Sequence, residues 1–270
     1  MIAKCLADAN YSAVHLPLPE DEEVRDYVRM RDDNKDILKK TKQFINSLCL
    51  RYGYKYTAGK WTRAHRKWLN DLTLSDLVRE TLNEYLLSYD RLVSDIGRYD
   101  ARIEELAARK AYAGHVKKLR CFLGIETKAA LSLIVETGDF HRFSKGTKYA
   151  AFLGLVPGEH SSGDDVNHLS ITKAGNSNLR KQLIESAQTI CKGMVGHKSK
   201  ALTARQKGNS VEVIAYADKA NERLRRKYYR LIRHGKPRNV AVTAVARELA
   251  SFIWGMMTDN ISVSREQKTV

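Results

Sequence analysis

The sequence predicts a mainly α-helical protein, and three observations carry that prediction. Proline occurs only four times in 270 residues, at Pro17, Pro19, Pro157 and Pro237, so long stretches contain no residue that would remove a helical hydrogen bond. Those stretches are rich in charge and carry apolar residues at helical spacing. In one of them the apolar steps of four and three continue for about four heptads.

The elements follow in order. Pro17 and Pro19 close a short extended segment, Ser12 to Leu16, and Glu20 to Glu23 then place negative charge where a helix dipole favours it. Val24, Val28, Ile37 or Leu38, Phe44 or Ile45, and Leu48 mark the apolar face of that helix, and Gly53 its end. From Val78 the pattern runs through Leu82, Tyr85, Tyr89, Leu92, Ile96, Tyr99, Ile103 and Leu106. This a/d repeat predicts a coiled-coil arm with a left-handed supercoil, through which the chain is expected to form a homo-oligomer. The competing explanation is an ordinary amphipathic helix packed on its own domain. The length of the repeat favours the coiled coil, although three tyrosines make the seam a weak zipper. Its partner helix lies either in a second copy or folded back from the same chain. Beyond Gly114, residues Val116 to Gly138 read as helix, turn and helix, with Gly124-Ile125-Glu126-Thr127 at the turn. Such a hairpin can set backbone amides against a phosphate, but ordinary helical hairpins look the same.

Charge points to the class of partner. The 47 Lys and Arg against 31 Asp and Glu give a formal charge of +16, which favours a polyanion through counterion release. Charge alone does not separate DNA from RNA or from an acidic membrane. No apolar run approaches the length of a membrane span and the N-terminus has no signal pattern, so the expectation is a cytoplasmic protein with no membrane partner. Cys5, Cys49, Cys121 and Cys191 are too widely spaced for a zinc site and read as reduced, mostly buried thiols.

Residues 152 to 180 are the most specific. Ser161-Ser162-Gly163, then Lys173, Gly175, Asn176 and Arg180 at the start of an apolar-periodic helix, form the pattern of a phosphate-handling nucleophile with cations and glycines around it. The plainer explanation is a Ser/Gly surface loop followed by an asparagine helix cap. A second candidate lies between Lys219 and Arg238, where nine Lys and Arg face one acid, Glu222, and alternate with Tyr228, Tyr229 and His234. Leu224, Tyr228, Leu231 and Ile232 recur at helical spacing and face the core. The arginines between them, Arg225, Arg226 and Arg230, are the ones expected to meet nucleic acid.

The ordered residues Phe143-Ser144, Tyr149 to Pro157, Ser161-Ser162-Gly163, Ile171-Thr172-Lys173, Gly175-Asn176 and Leu179-Arg180, with the closing helix Ala241 to Ala250 and Trp254, resemble the IS110 family of bacterial insertion-sequence transposases. These are also described as bridge-RNA-guided recombinases. The resemblance covers nearly the whole chain, since Ala13 to Pro17 and the helix after them look like the end of the family's N-terminal domain. It implies DNA transposition, with DNA as partner and with or without a guide RNA. Ser162 is then the nucleophile, and Ser161, Gly163, Lys173, Gly175, Asn176 and Arg180 surround the phosphate. The family also implies a resolvase-like RNase H domain whose acidic residues hold magnesium. Met1 to Ala7 look like the helix after the last of those acids, so residues 1–72 are expected to be the remnant of that domain with linker helices, 73–110 the coiled-coil arm and 111–270 the helical transposase domain. On that expectation the chain is truncated, holds no metal itself and is either inactive alone or completed in trans by a full-length subunit. The alternative is a non-catalytic module that binds nucleic acid, dimerises and modulates a full-length transposase. Ser170 stands where the family usually has glycine, which predicts a remodelled turn there.

Overall fold

Helix α1 (Pro19–Arg51) opens as its sequence dictates. Proline at the first position forfeits no helical bond, and Glu20, Asp21 and Glu22 fill the first turn. It ends at Gly53, which takes the left-handed conformation (φ +83°) while the Tyr54 N–H returns to the Cys49 carbonyl at 2.9 Å. A computed structural model describes residues 15–159 and 168–261. Among them are ten α-helices, one 3-10 turn and one two-stranded antiparallel sheet, the mainly α fold that the spacing predicts. Packing divides the chain into two units: Asp26–Glu105, and Leu106 onwards together with the chain up to Arg25.

In the first unit, α1 and α3 (Asp76–Ala107) lie antiparallel. Tyr27 meets Tyr99 edge to face with ring centroids 6.0 Å apart. Arg31 grips Asp100 with both arms of its guanidinium at 2.7 and 3.0 Å, and Phe44 stacks on Tyr85 at 5.8 Å. Tyr27 and Arg31, early in α1, thus meet residues late in α3, and Phe44, late in α1, meets Tyr85 early in α3, which defines a hairpin. The heptad residues Leu82 and Ile103 are fully buried, and Leu82 joins Ile45, Cys49, Leu69, Leu72 and Leu86 in one core. The seam therefore finds its partner in α1 of the same chain and does not call for a second copy. The arm is also wider than residues 73–110, because α1 supplies its other half. Between the two long helices, α2 (Arg63–Asp71) is capped by Thr62, whose Oγ1 accepts the His65 N–H at 3.2 Å.

The second unit holds α4 (Lys110–Leu119), α5 (Thr127–Thr137), the 3-10 turn Phe140–Arg142, α6 (Gly146–Phe152), β1 (Pro157–Glu159), β2 (His168–Ile171), α7 (Ser177–Cys191), α8 (Lys200–Gln206), α9 (Val211–Arg233) and α10 (Arg238–Met257). Helix α10 is the central piece, packed against α4, α6, α7 and α9. By length and composition it could cross a membrane, with a mean hydropathy of 1.3 over its most apolar stretch, so the expectation that no apolar run approaches that length was too strict. Its apolar side chains are instead consumed internally: Ala241, Val245, Ala246, Leu249, Ala250, Ile253 and Met256 are all fully buried. The α4–α5 turn is also internal. Ser186 on α7 donates its hydroxyl to the Gly124 carbonyl at 2.9 Å, and Ile125 and Thr127 are buried, so this hairpin does not present its amides to a phosphate. Cys49, Cys121 and Cys191 are free and buried; burial pushes the Cys121 thiol up to about 11 and the Cys191 thiol to about 12.

Candidate nucleic-acid interface

The sequence from α6 to α7 folds into an interlocked pair of turns. After α6 the chain turns at Gly154 (φ +66°), with the Leu155 N–H returning to the Ala150 carbonyl at 3.0 Å. It runs through β1 and returns along β2, which pairs antiparallel to β1 with Pro157 opposite Ile171 and Glu159 opposite His168. Below the strands the Thr172 N–H bonds the Val156 carbonyl at 2.9 Å, and the Lys173 N–H the Gly154 carbonyl at 3.2 Å. The second turn, at Gly175 (φ +106°), seats against the first. A Cβ at Gly175 would lie 1.9 Å from the Phe152 carbonyl oxygen, and one at Gly154 would lie 2.2 Å from that of Ala174, so only glycine fits at either place.

This geometry assigns the sequence candidates unequally. Ser161, Ser162 and Gly163 lie outside the described residues, on the connection from β1 to β2. Gly175 does allow close backbone approach, but its neighbour is the Phe152 carbonyl. Asn176 caps α7, its Oδ1 accepting the Leu179 N–H at 3.0 Å, while its Nδ2 donates to Glu136 Oε2 at 2.7 Å. Arg180 donates through Nη1 to the Leu153 carbonyl at 3.0 Å. Both polar groups hold the turn together, as the plainer explanation expects. Lys173 differs: it is exposed, held at φ +55°, and has no carboxylate partner among the described residues. A left-handed backbone is uncommon for a long side chain, and here it occurs at an exposed residue just past the β hairpin's second strand. Ser170 lies within β2 and not at a turn, so its replacement of glycine leaves the turn at 172–175 intact.

One cation beside this turn was missed. Arg142 lies over the rings of Phe143 and Phe152 at 4.5 and 4.7 Å and donates to the Thr137 carbonyl at 3.2 Å. Burial against those rings lowers its pKa, which the nearby Asp139 only partly offsets. The signal was present, since both phenylalanines belong to the ordered motifs and Arg142 adjoins the first.

The α9 strip is also divided. Arg225 is only 7% exposed; its Nε donates to the Ile190 carbonyl at 3.3 Å and its Nη1 to the Met194 carbonyl at 2.8 Å and to the His197 carbonyl. It closes the C-terminal end of α7 and has no face left for a phosphate, contrary to its place among the expected binding residues. Arg226 is exposed but paired with Glu222 at 2.8 Å. Arg230 is exposed and unpartnered among the described residues. Together with Lys219, Arg223, Lys227 and Arg233, these two line an open groove of about 720 Å³ whose acids are Glu222 and Glu248. Tyr229 forms part of its wall and donates its hydroxyl to the Gly193 carbonyl at 3.1 Å. Leu224 is fully buried, but Ile232 is 37% exposed, so the core-facing stripe fades toward the end of α9.

The family model described as "Transposase IS116/IS110/IS902 family" matches residues 116–202, which include the β hairpin, both interlocked turns and all of α7. A Sinorhizobium fredii protein named as transposase y4qE is 32% identical over 256 residues, covering 94% of this chain and 62% of that protein. The transposase for insertion sequence element IS1533 of Leptospira borgpetersenii is 32% identical over 227 residues, 80% of this chain and 63% of its own length. That for IS1111A of Coxiella burnetii is 37% identical over 95 residues, 35% of this chain and 25% of its own. The chain thus spans less than two thirds of the length of these relatives. With the family's domain centred on the interlocked turns and two relatives matched along most of the chain, the protein belongs to the IS116/IS110/IS902 family of insertion-sequence transposases.

Proposed function

We propose that this chain acts in DNA transposition in the bacterial cytoplasm, contributing Ser162 as the nucleophile and Lys173 as a cation at the scissile phosphate. The serine oxygen forms a bond to phosphorus and the bond to one bridging deoxyribose oxygen breaks. The proton lost by the hydroxyl is matched by the one the leaving oxygen takes up, and rejoining reverses the exchange. A serine hydroxyl needs a base or a metal to activate it and positive charge to stabilise the transition state. Lys173 suits the second task because it is the exposed cation of the turn with no carboxylate partner among the described residues, whereas Asn176 and Arg180 act by keeping that turn rigid. Among the described residues no group of three or more His, Cys, Asp or Glu is disposed to hold a metal ion. A guide RNA, where one takes part, would share the basic surfaces with DNA. The observation that carries the reading is the family match across residues 116–202, which brackets the serine loop and the Lys173 turn together.

A second reading is favoured by the internal use of Asn176 and Arg180: the chain binds nucleic acid and modulates a full-length transposase without chemistry of its own. Recombination assays separate the two, run with wild type, Ser162→Ala and Ser161→Ala, each with and without a full-length family member. We expect Ser162→Ala to abolish the chain's contribution and Ser161→Ala to reduce it less. Recombination unaffected by Ser162→Ala would favour the binding module.

A further inference from the structure

The closed end of the α1–α3 hairpin carries charge that belongs neither to the serine loop nor to the α9 groove. Residues 51–70 contain Arg51, Lys55, Lys60, Arg63, Arg66 and Lys67 and no acid. Arg66 pairs with Asp90 at 2.7 Å. The other five are exposed and have no carboxylate partner among the described residues. Elsewhere in the same unit exposed cations on α3 are paired, Arg98 with Asp95 at 2.7 Å and Arg102 with Glu105 at 2.6 Å. A surface that serves only solubility mixes both signs in this way. Five like charges left together repel one another, and a polyanion relieves that repulsion while releasing its own counterions.

Aromatic rings lie among these cations. Tyr56 packs 4.7 Å from the buried ring of His65 and 5.0 Å from Trp68, while Trp61 stacks on Tyr89 at 5.1 Å. Tyr54, Tyr56 and Trp68 are half-buried and, with Asn46, Lys55 and Lys60, line a slot of about 150 Å³. The slot has flat apolar walls and two ammonium groups beside them. It is too small for a drug-sized ligand, and its combination of ring faces and adjacent cations matches the way proteins hold unpaired bases between stacking side chains and phosphate contacts. A duplex does not offer this slot a base without unpairing it.

We propose that the closed end of the hairpin is a nucleic-acid contact separate from the α9 groove, in which the slot formed by Tyr54, Tyr56 and Trp68 takes an unpaired base and Lys55 and Lys60 take the flanking phosphates. The ligand class is a single-stranded or looped segment, of DNA or RNA. The proposal does not depend on the serine chemistry, and its test reads binding, not recombination.

The full chain carries three tryptophans, Trp61, Trp68 and Trp254. In a Trp254→Phe variant, emission reports the hairpin alone. Twelve-residue oligo-dT and oligo-rU, a 12-base-pair duplex and polyglutamate are titrated against it, with circular dichroism to confirm the fold. Single strands should quench the emission, and the duplex and polyglutamate should not. Quenching by oligo-dT alone, by oligo-rU alone or by both upholds the site and identifies its source. Lys55→Ala/Lys60→Ala, two exposed positions, should weaken the quench-detected affinity about tenfold and flatten its log-log salt slope by about 1.4, at roughly 0.7 per phosphate on a single strand. Arg226→Ala/Arg230→Ala should leave that affinity unchanged. In the otherwise wild-type chain, Trp68→Phe should remove most of the quenching. No quenching by either single strand, equal quenching by duplex or polyglutamate, or an unchanged affinity in the double lysine variant would overturn the proposal.

Discussion

Helix α9 between Lys219 and Arg233 and the hairpin segment 51–70 both set basic side chains among aromatic rings, but their charges are answered differently. In α9 the protein supplies the counter-groups itself: Glu222 takes Arg226, Glu248 takes Arg223 and Lys227, and main-chain carbonyls take Arg225. That leaves Lys219, Arg230 and Arg233 without a carboxylate among the described residues. In segment 51–70 only Arg66 is answered among the described residues. Two runs of similar formal charge therefore present different free charge, and the quantity that matters for a polyanion is what remains after internal pairing.

The largest expected effect that could break this comparison is on stability. Arg225→Ala removes the group that satisfies the Ile190, Met194 and His197 carbonyls and leaves a hole beside them, and should cost about 3 to 5 kcal/mol in urea unfolding of the full chain. Arg230→Ala on the same helix should cost less than about 0.5 kcal/mol, as exposed substitutions usually do. Equal losses at the two positions would show that α9 is not divided between a structural and a free face.

A smaller effect sharpens the comparison from the binding side. Burial pushes the Glu248 carboxyl up, but hydrogen bonds from Lys227 and Arg223 outweigh it and the net shift is downward, so the group is ionised at neutral pH and cancels charge in the groove. Glu248→Gln removes that negative charge and should tighten duplex oligonucleotide binding about fivefold at 100 mM salt, with a steeper salt dependence. Measured by anisotropy with a labelled duplex, an unchanged affinity would mean that the groove does not face nucleic acid.

The sequence made some of this legible and not the rest, for reasons visible in single residues. Local signals served well: Pro19 and the acids behind it start α1, Gly53 ends it, and the steps of four and three mark the buried edge of α3. The heptads said that a partner helix exists but could not say which, because α1 carries a looser pattern whose match to α3 appears only in pairs such as Arg31 with Asp100. Asn176 and Arg180 belong to a motif, yet their hydrogen-bond partners, Glu136 and the Leu153 carbonyl, lie 40 and 27 positions away. Spacing along the chain holds no record of such contacts. Arg225 looked like its neighbour Arg226 for the same reason. Segment 51–70 was missed because it forms no dense charge run; its mark is the absence of acid, visible only when both signs are counted.

The smallest effect is a pH dependence confined to the hairpin. His65 is 1% exposed, and its Nδ1 accepts the Trp61 backbone N–H at 3.0 Å, so the folded ring carries its proton on Nε2. Burial first, and the charge of Lys60 second, lower its pKa from the ordinary value of 6.5. The unfolded chain therefore binds a proton more readily than the folded one. The stability that the neutral ring contributes is complete above pH 6.5 and declines as the pH falls through that value, levelling off only below the folded pKa. Thermal unfolding followed by emission of Trp61 and Trp68 in the Trp254→Phe background should show a midpoint that falls between pH 8 and pH 5. His65→Gln should flatten the fall, which also separates it from His115 in the other unit, where burial again lowers the pKa. A polyanion seated on Lys60 should weaken the fall too, since it offsets one of the two causes. Segment 51–70 would then report its ligand through a buried ring, which the α9 strip, with no histidine among its groove-lining residues, cannot do. A midpoint that rises toward acid pH would contradict the acceptor role of Nδ1 and the geometry that holds Trp61 beside the slot.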